Sequence, residues 1–251
     1  MKEIKPGSPE WMLQLKRMNT PTIYNGWEQV TKHDASKHGF NIEETKDFMP
    51  EMGPMVGRAV TVKIQPSNAN HKKNVDGFIE YYKYLAETPG PKIAVVQDLD
   101  KPHTCGAFWG EVTANSHRQL GCVGGIIDGA IRDLDEMKNA GYKALARRLC
   151  VGHAHSWPVE WGCTVEVFGR QVKPGQLIHA DKHGFLVIPE EDITNLLEAS
   201  LAMDRFECES LIAEARSKSS VNYDAYIENL RDASKRFGES VQQKFRRKGE
   251  W

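Results

Sequence analysis

No apolar run in these 251 residues approaches the ~20 needed to span a bilayer as a helix. The opening residues, Met1-Lys2-Glu3-Ile4-Lys5-Pro6-Gly7, lack the apolar core of a signal peptide. Cysteine is sparse: Cys105, Cys122, Cys150, Cys163 and Cys208 lie scattered without a closely spaced pair. That pattern excludes a disulfide framework and a cysteine zinc site, and points to reduced thiols in the cytosol. Charge of one sign is also missing, with 33 Lys and Arg against 34 Asp and Glu. A net charge of −1 offers no general field to draw nucleic acid or an anionic membrane. The chain shows no internal repeat and no low-complexity stretch. What remains is an ordinary soluble composition, 40% apolar and 27% charged, long enough for a full hydrophobic core.

Residues 1–54 read as a polar amino-terminal segment with helical or irregular structure. Trp11, Leu13, Leu15 and Met18 give it a weak apolar pattern, and Asn19-Thr20-Pro21 gives it a boundary. The first clear strand is 58–64, where Val60, Val62 and Ile64 alternate. After a polar loop from Asn68 to Asn74, Val75, Phe78, Ile79, Tyr82 and Leu85 recur at helical spacing, and Thr88-Pro89-Gly90-Pro91 stops that helix. Ile93-Ala94-Val95-Val96 reads as a buried strand, 111–120 as a helix closed by Gly121, 123–127 as a strand and 133–140 as a helix closed by Gly141. This succession predicts an α/β layered domain. Beyond Cys150 the spacing changes to short strands at 164–168, 177–180 and 185–188, with turns at Gly169-Arg170, Lys173 to Gln176 and Asp181 to Gly184. Pro189 opens a helix carrying Ile193, Leu196, Leu197 and Leu201, and from Asp204 the chain reads as charged and helical. The core is expected over 55–217 and a helical extension over 218–251.

One pair of residues carries the most chemical information. Arg132-Asp133 ends the run Gly124-Gly125-Ile126-Ile127-Asp128-Gly129-Ala130-Ile131, where a glycine-rich buried strand gives way to a helix. An arginine presents a planar fork suited to a carboxylate, and an aspartate is a hard oxygen ligand for a divalent cation. A plainer account competes. Asp133 with Glu136 three residues on is an acidic capping box, and local pattern alone favours that reading. The glycines shift the balance, because Gly124, Gly125 and Gly129 weaken a strand unless backbone or ligand must approach closely. Asp128 adds a carboxylate nearby.

These residues, taken with Gly110-Glu111, Val172-Lys173-Pro174-Gly175 and Ala180 to Pro189, resemble the RraA-like family. Gly57 to Val62 is similar to that family's first core strand. The family includes divalent-metal-dependent 4-hydroxy-4-methyl-2-oxoglutarate aldolases that also decarboxylate oxaloacetate, and the regulator of ribonuclease E activity. The resemblance covers roughly 55–215 and implies a β/β/α swivelling-domain-like core with flanking helices. It further implies a homotrimer or dimer of trimers with sites between subunits. The family aldolases carry an acid, twenty intervening positions and then Arg-Asp; here Glu111 stands that far before Arg132, where Asp is usual.

By this resemblance Asp133 contacts Mg2+ or Mn2+ directly, with Glu111 and Glu136 in supporting positions. Arg132 binds the 2-oxo acid, and Gly110, Val112 and Thr113 hold its carboxylate at a helix N-terminus. A water oriented by Glu111 serves as base in retro-aldol cleavage, while decarboxylation needs only the enolate stabilisation. The implied activity is a lyase releasing pyruvate; the alternative is a non-catalytic regulator that binds a ribonuclease or another protein. Several residues read as bystanders. His153 and His155, near Trp157 and Trp161, read as loop histidines at a pocket rim or exposed, and Asp181 as a turn residue. Lys244 to Lys248 reads as a solvated basic tail. Glu207 and Glu209 lie where family aldolases supply an acid to a neighbouring subunit, without a choice between them. The stretch from Thr20 to Trp27 departs from the family's Asp-Ala-Leu pattern, and Asn70 to Gly90, with Tyr81, Tyr82 and Tyr84, is longer than usual. No glycine-rich nucleotide-binding spacing supports a methyltransferase.

Overall fold

The computed structural model describes residues 4–73, 75–217 and 222–246. Met1 to Glu3, Asn74 at the end of the expected loop, the start of the expected carboxy-terminal extension at 218–221, and Arg247-Lys248 of the basic run lie outside the described residues. In chain order the elements begin α1 (Pro9–Leu15), α2 (Thr20–Val30), β1 (Lys46–Asp47), β2 (Met55–Ile64), α3 (Val75–Glu87), β3 (Lys92–Asp98), β4 (Ala107–Trp109), α4 (Glu111–Gln119), β5 (Cys122–Ile131) and α5 (Leu134–Asn139). They continue β6 (Lys143–Leu149), β7 (Pro158–Trp161), β8 (Val165–Val167), β9 (Arg170–Val172), β10 (Leu177–Asp181), β11 (Gly184–Ile188), α6 (Ile193–Glu207), α7 (Ala213–Ala215) and α8 (Tyr223–Phe245). The fold is mixed α/β, as the alternation of periods predicts. The chain divides into two compact units: Met1–Thr20 with Lys37–Glu191, and Pro21–Ser36 with Asp192–Trp251.

In the first unit β2, β3, β5 and β6 run parallel at the centre of a nine-stranded sheet ordered β1-β6-β5-β3-β2-β10-β11. β4 adds to β5 in parallel and β7 to β2 in antiparallel fashion. The two-residue side-chain period of β2 divides the core. Val60, Val62 and Ile64 join Tyr81, Leu85, Trp109 and Tyr142 on one face. Ala59 joins Ile93, Val95, Phe168 and Phe185 on the other. Asp181 behaves as a turn residue, accepting from the N–H groups of Thr20 at 2.8 Å and His183 at 2.9 Å. The expected tight turn after β8 sits one residue earlier than Gly169-Arg170, because Phe168 and Gly169 take the left-handed conformations with φ 48° and 72°.

The amino-terminal stretch is more ordered than its weak pattern suggests. Ser8 caps α1 by accepting from Trp11 N–H at 3.3 Å, and Trp11 and Leu15 are buried. Pro21 stands in the first turn of α2, where the missing N–H leaves no bond unmade, so Thr20-Pro21 starts a helix as well as ending one segment. In the second unit Trp27 is fully buried and its indole N–H donates to Asp192 at 2.8 Å. α6 continues through a π turn at Cys208–Ile212 into α7, and Asn222 caps α8.

The glycines of β5 have a packing cause. A Cβ on Gly125 would lie 2.0 Å from the Trp109 ring, one on Gly124 2.5 Å from the Lys143 carbonyl, and one on Gly129 3.0 Å from Asp98. Neighbouring side chains and backbone, not a ligand, occupy that space.

His117 of α4 is buried beneath the same layer. Its Nδ1 lies 2.6 Å from the Thr113 carbonyl, which only accepts, so Nδ1 carries the proton and Nε2 accepts from the Tyr81 hydroxyl at 2.9 Å. Burial pushes its pKa down from 6.5 to about 4. The unfolded chain therefore takes up a proton that the folded chain refuses, and stability falls as pH drops from 6.5 toward 4. Circular-dichroism melts should show the melting temperature falling between pH 7 and pH 5, with roughly 1–2 kcal/mol of that loss from this residue. His117→Gln is expected to shrink the drop, and an unchanged drop would remove His117 as a cause.

Candidate functional site

Two strand–helix junctions meet at the carboxyl ends of the parallel strands, the usual location for ligands in such sheets. β4 passes through Gly110 into α4, and β5 passes through Arg132-Asp133 into α5. The junctions are tied directly, because Arg132 N–H donates to the Trp109 carbonyl at 3.0 Å.

Asp133 takes a left-handed conformation, φ 53° and ψ 52°, uncommon for a residue with a side chain. It does not cap its own helix, so the expected acidic capping box with Glu136 is not formed. Its carboxylate reaches across to the other junction, where Oδ2 accepts from Glu111 N–H at 3.1 Å. Arg132 Nε lies 3.5 Å from the same oxygen, and its Nη1 donates to the Val151 carbonyl at 3.2 Å. Both contacts of Asp133 use Oδ2, and Oδ1 takes part in neither.

Gly110 makes this approach possible: a Cβ there would sit 2.5 Å from Asp133 Oδ2 and 3.1 Å from Arg132 Nε. Thr113 completes the turn, its hydroxyl accepting from Gly110 N–H at 3.1 Å and donating to the Phe108 carbonyl at 3.0 Å. Among the described residues the N–H groups of Val112 and Thr113 have no protein acceptor. They are orphan donors at a helix N-terminus, a location that favours anions.

A cavity of about 570 Å³ opens here, lined by Gly110, Glu111, Val112, Thr113, Arg132 and Asp133, all six named from the sequence, and by the loop carrying His153 and His155. A second cavity of about 470 Å³ shares Arg132 and Asp133 and adds Arg148, Leu149 and Val151. Glu136 is exposed on the first turn of α5 and lines neither cavity. Asp128 belongs elsewhere. It is fully buried, paired with Lys101 at 2.9 Å and Arg147 at 2.6 Å, and accepts from Phe168 N–H at 2.8 Å. Glu207 accepts from Asn25 at 2.8 Å, and Glu209 lies 4.0 Å from Arg205. Phe78, Phe108 and Trp157, none of them marked as a site residue by the sequence, also line the larger cavity. In sequence Phe78 is only one position of an apolar helical stripe, and nothing local distinguishes it from core.

No group of three or more His, Cys, Asp or Glu converges as a metal cage among the described residues. One carboxylate beside an open cavity, with a second at Glu111, fits instead a hard divalent cation that keeps most of its waters.

Removing the space at Gly110 tests the geometry. Gly110→Ala should cost about 1–3 kcal/mol in urea unfolding, because the new methyl meets the Asp133 carboxylate. In an Asp133→Ala background the same substitution should cost less than half as much; equal costs in both backgrounds would show that the two residues do not touch.

The RraA-like family, described as Aldolase/RraA, matches residues 20–187. Protein DlpA of Legionella pneumophila subsp. pneumophila is 22% identical over 180 residues, 71% of this chain, which spans only 27% of that protein's length. An uncharacterized protein from Pseudomonas syringae pv. tomato superimposes with a TM-score of 0.67 at 20% identity, covering 90% of this chain and 96% of its own. RraAS2 of Streptomyces coelicolor, described as an unusual member of the RNase ES inhibitor RraA protein family, superimposes with a TM-score of 0.64 at 17% identity, covering 82% and 98%.

Proposed function

The chain belongs to the RraA-like family, and from that premise we propose that it is a divalent-metal-dependent lyase cleaving a carbon–carbon bond in a 2-oxo acid to release pyruvate. The observation that supports this most is the Asp133 carboxylate, held by a left-handed backbone beside Arg132 and at the N-terminus of α4. An exposed helix cap gains nothing from that conformation, whereas a preorganised site does.

In the proposed reaction the orphan N–H groups of Val112 and Thr113 receive the substrate carboxylate. The Arg132 guanidinium faces the 2-oxo oxygen and stabilises negative charge as it develops there. Asp133 would hold Mg2+ or Mn2+, and the cation when bound would supply further polarisation of the 2-oxo group. Glu111, on the first residue of α4, orients a water that accepts the alcohol proton in aldol cleavage. Glu136 acts only through intervening water. Decarboxylation of oxaloacetate uses the same charge stabilisation and omits the base. We further propose a cytosolic homotrimer or dimer of trimers; exposed Val112, Leu149 and Val151 around the two cavities supply apolar surface for subunit contact.

The second reading is a non-catalytic regulator of a ribonuclease or another protein, favoured by likeness to the Streptomyces protein. The two readings part on turnover. Pyruvate should appear from 4-hydroxy-4-methyl-2-oxoglutarate or oxaloacetate with Mg2+ or Mn2+ and not with excess chelator. Arg132→Ala and Asp133→Ala should each lower kcat/KM by about 100-fold or more without unfolding the protein. Glu111→Gln should slow aldol cleavage far more than decarboxylation. A stoichiometric protein partner together with no turnover across a keto-acid panel would favour the regulator.

A further inference from the structure

Two chemically distinct groups of residues line the larger cavity, beside His153, Ala154, His155 and Ser156 of one loop. One is polar: Arg132, Asp133, Glu111 and the first N–H groups of α4. The other is aromatic: Phe78 from α3, Phe108 from β4 and Trp157 from the loop before β7. Phe78 meets Trp157 edge-on with centroids 5.1 Å apart and stacks on Phe108 at 6.3 Å. Phe78 and Trp157 are each half-buried, so ring surface remains open to the cavity.

The loop that carries Trp157 is held at several points. Ala107 N–H donates to the Gly152 carbonyl at 2.9 Å, His155 N–H to the Pro66 carbonyl at 3.1 Å, and the Ser156 hydroxyl to the His153 carbonyl at 2.7 Å. Gly106 permits this docking, since a Cβ there would lie 2.5 Å from the His153 carbonyl. The aromatic wall is therefore built before a ligand arrives, which lowers the ordering cost of binding.

Charge decides between ligand classes. Among the described residues Arg132 is the one Lys or Arg lining this cavity, and Glu111 and Asp133 are acids. A dicarboxylate would satisfy one carboxylate at α4 and leave the other among acids, rings and the two loop imidazoles His153 and His155, with no second guanidinium or ammonium to meet it among the described residues. Arg148 lies in the neighbouring cavity, with its Nε and Nη1 already donating to the carbonyls of Leu149 and Thr104. A single carboxylate with an apolar ring matches both sets of groups.

We infer that the substrate of this cavity is a 2-oxo acid bearing an aryl group, its carboxylate at the first N–H groups of α4, its 2-oxo oxygen at Arg132 and its ring against Phe78 and Trp157. The inference rests on the lyase reading for its reaction and on the cavity alone for its binding. With 4-hydroxy-2-oxo-4-phenylbutanoate, the bond between the carbinol carbon and the methylene breaks. The hydroxyl proton leaves to the base and the carbinol becomes benzaldehyde. The bonding pair passes to the methylene carbon as the enolate of pyruvate, which takes up one proton to give pyruvate.

Two measurements on the whole protein test this separately. Phenylpyruvate and pyruvate are titrated in the presence of Mg2+, read by Trp fluorescence and calorimetry, with phenylpyruvate expected to bind about tenfold more tightly or better. Phe78→Ala should erase most of that margin and Phe78→Tyr should keep it; Phe78→Leu guards against loss of fold. In turnover, 4-hydroxy-2-oxo-4-phenylbutanoate should exceed 4-hydroxy-4-methyl-2-oxoglutarate in kcat/KM, and Phe78→Ala should raise its KM more than it lowers kcat. Tight aryl binding without cleavage would sustain the pocket and overturn the lyase reading. Cleavage that favours the dicarboxylate, or equal binding of pyruvate and phenylpyruvate, would overturn the aryl assignment.

Discussion

The Trp109 ring lies against the bare backbone of Gly125, and the junctions of the first unit depend on that contact. With any side chain at Gly125, β4 could not lie beside β5 with its indole turned back over the strand. The contact sets Trp109 opposite Ile131, so the residues that follow, Gly110 on one strand and Arg132-Asp133 on the other, emerge together. It also has a cost, since the buried indole N–H has no hydrogen-bond partner among the described residues. Packing area outweighs that single unmade bond, as expected for a large ring sealed in a core.

Polar groups in this unit are of two kinds. Asp128, Arg147, Lys101 and Glu43 form a closed network in which each charge meets an opposite one, with the Arg147 guanidinium also 5.3 Å from the centre of the Phe168 ring. Such a network is more a matter of avoiding unpaired charge than of added stability. At the Arg132-Asp133 junction the polar groups are incompletely paired among the described residues: two backbone donors without acceptors, a carboxylate oxygen outside both contacts, and an arginine only partly engaged. Asp98 falls between these kinds. It is buried with one oxygen unpartnered, and burial raises its pKa to about 6. Polar capacity kept unspent at one point, while it is satisfied elsewhere, is what separates a site from a structural ion pair.

Much of the architecture was legible because its periods are local. The alternation of Val60, Val62 and Ile64, the short apolar run at Ile93 to Val96, and the glycines closing 111–120 and 133–140 each depend on neighbours a few residues away. The amino-terminal helices were less legible, since Trp11 and Trp27 are buried by partners distant in sequence. The same limit applied to the three aromatic residues of the cavity. Phe78, Phe108 and Trp157 sit on separate elements, and no spacing rule connects them.

The sequence by itself determined that Arg132 and Asp133 adjoin a strand end, that Glu111 precedes them by a set interval, and which family's pattern those residues share. Only the tertiary structure decided what they do with one another. Whether Asp133 capped its own helix or reached to α4 turned on a left-handed backbone and on the absence of a Cβ at Gly110, neither of which is a property of local pattern. Tertiary packing likewise withdrew Asp128 into an ion-pair network and placed Phe78, Phe108 and Trp157 along the same cavity as Arg132. The physical reason is common to all three. Side-chain chemistry is written along the chain, but its partners are chosen by distance in space, and that distance is set by which backbones can approach.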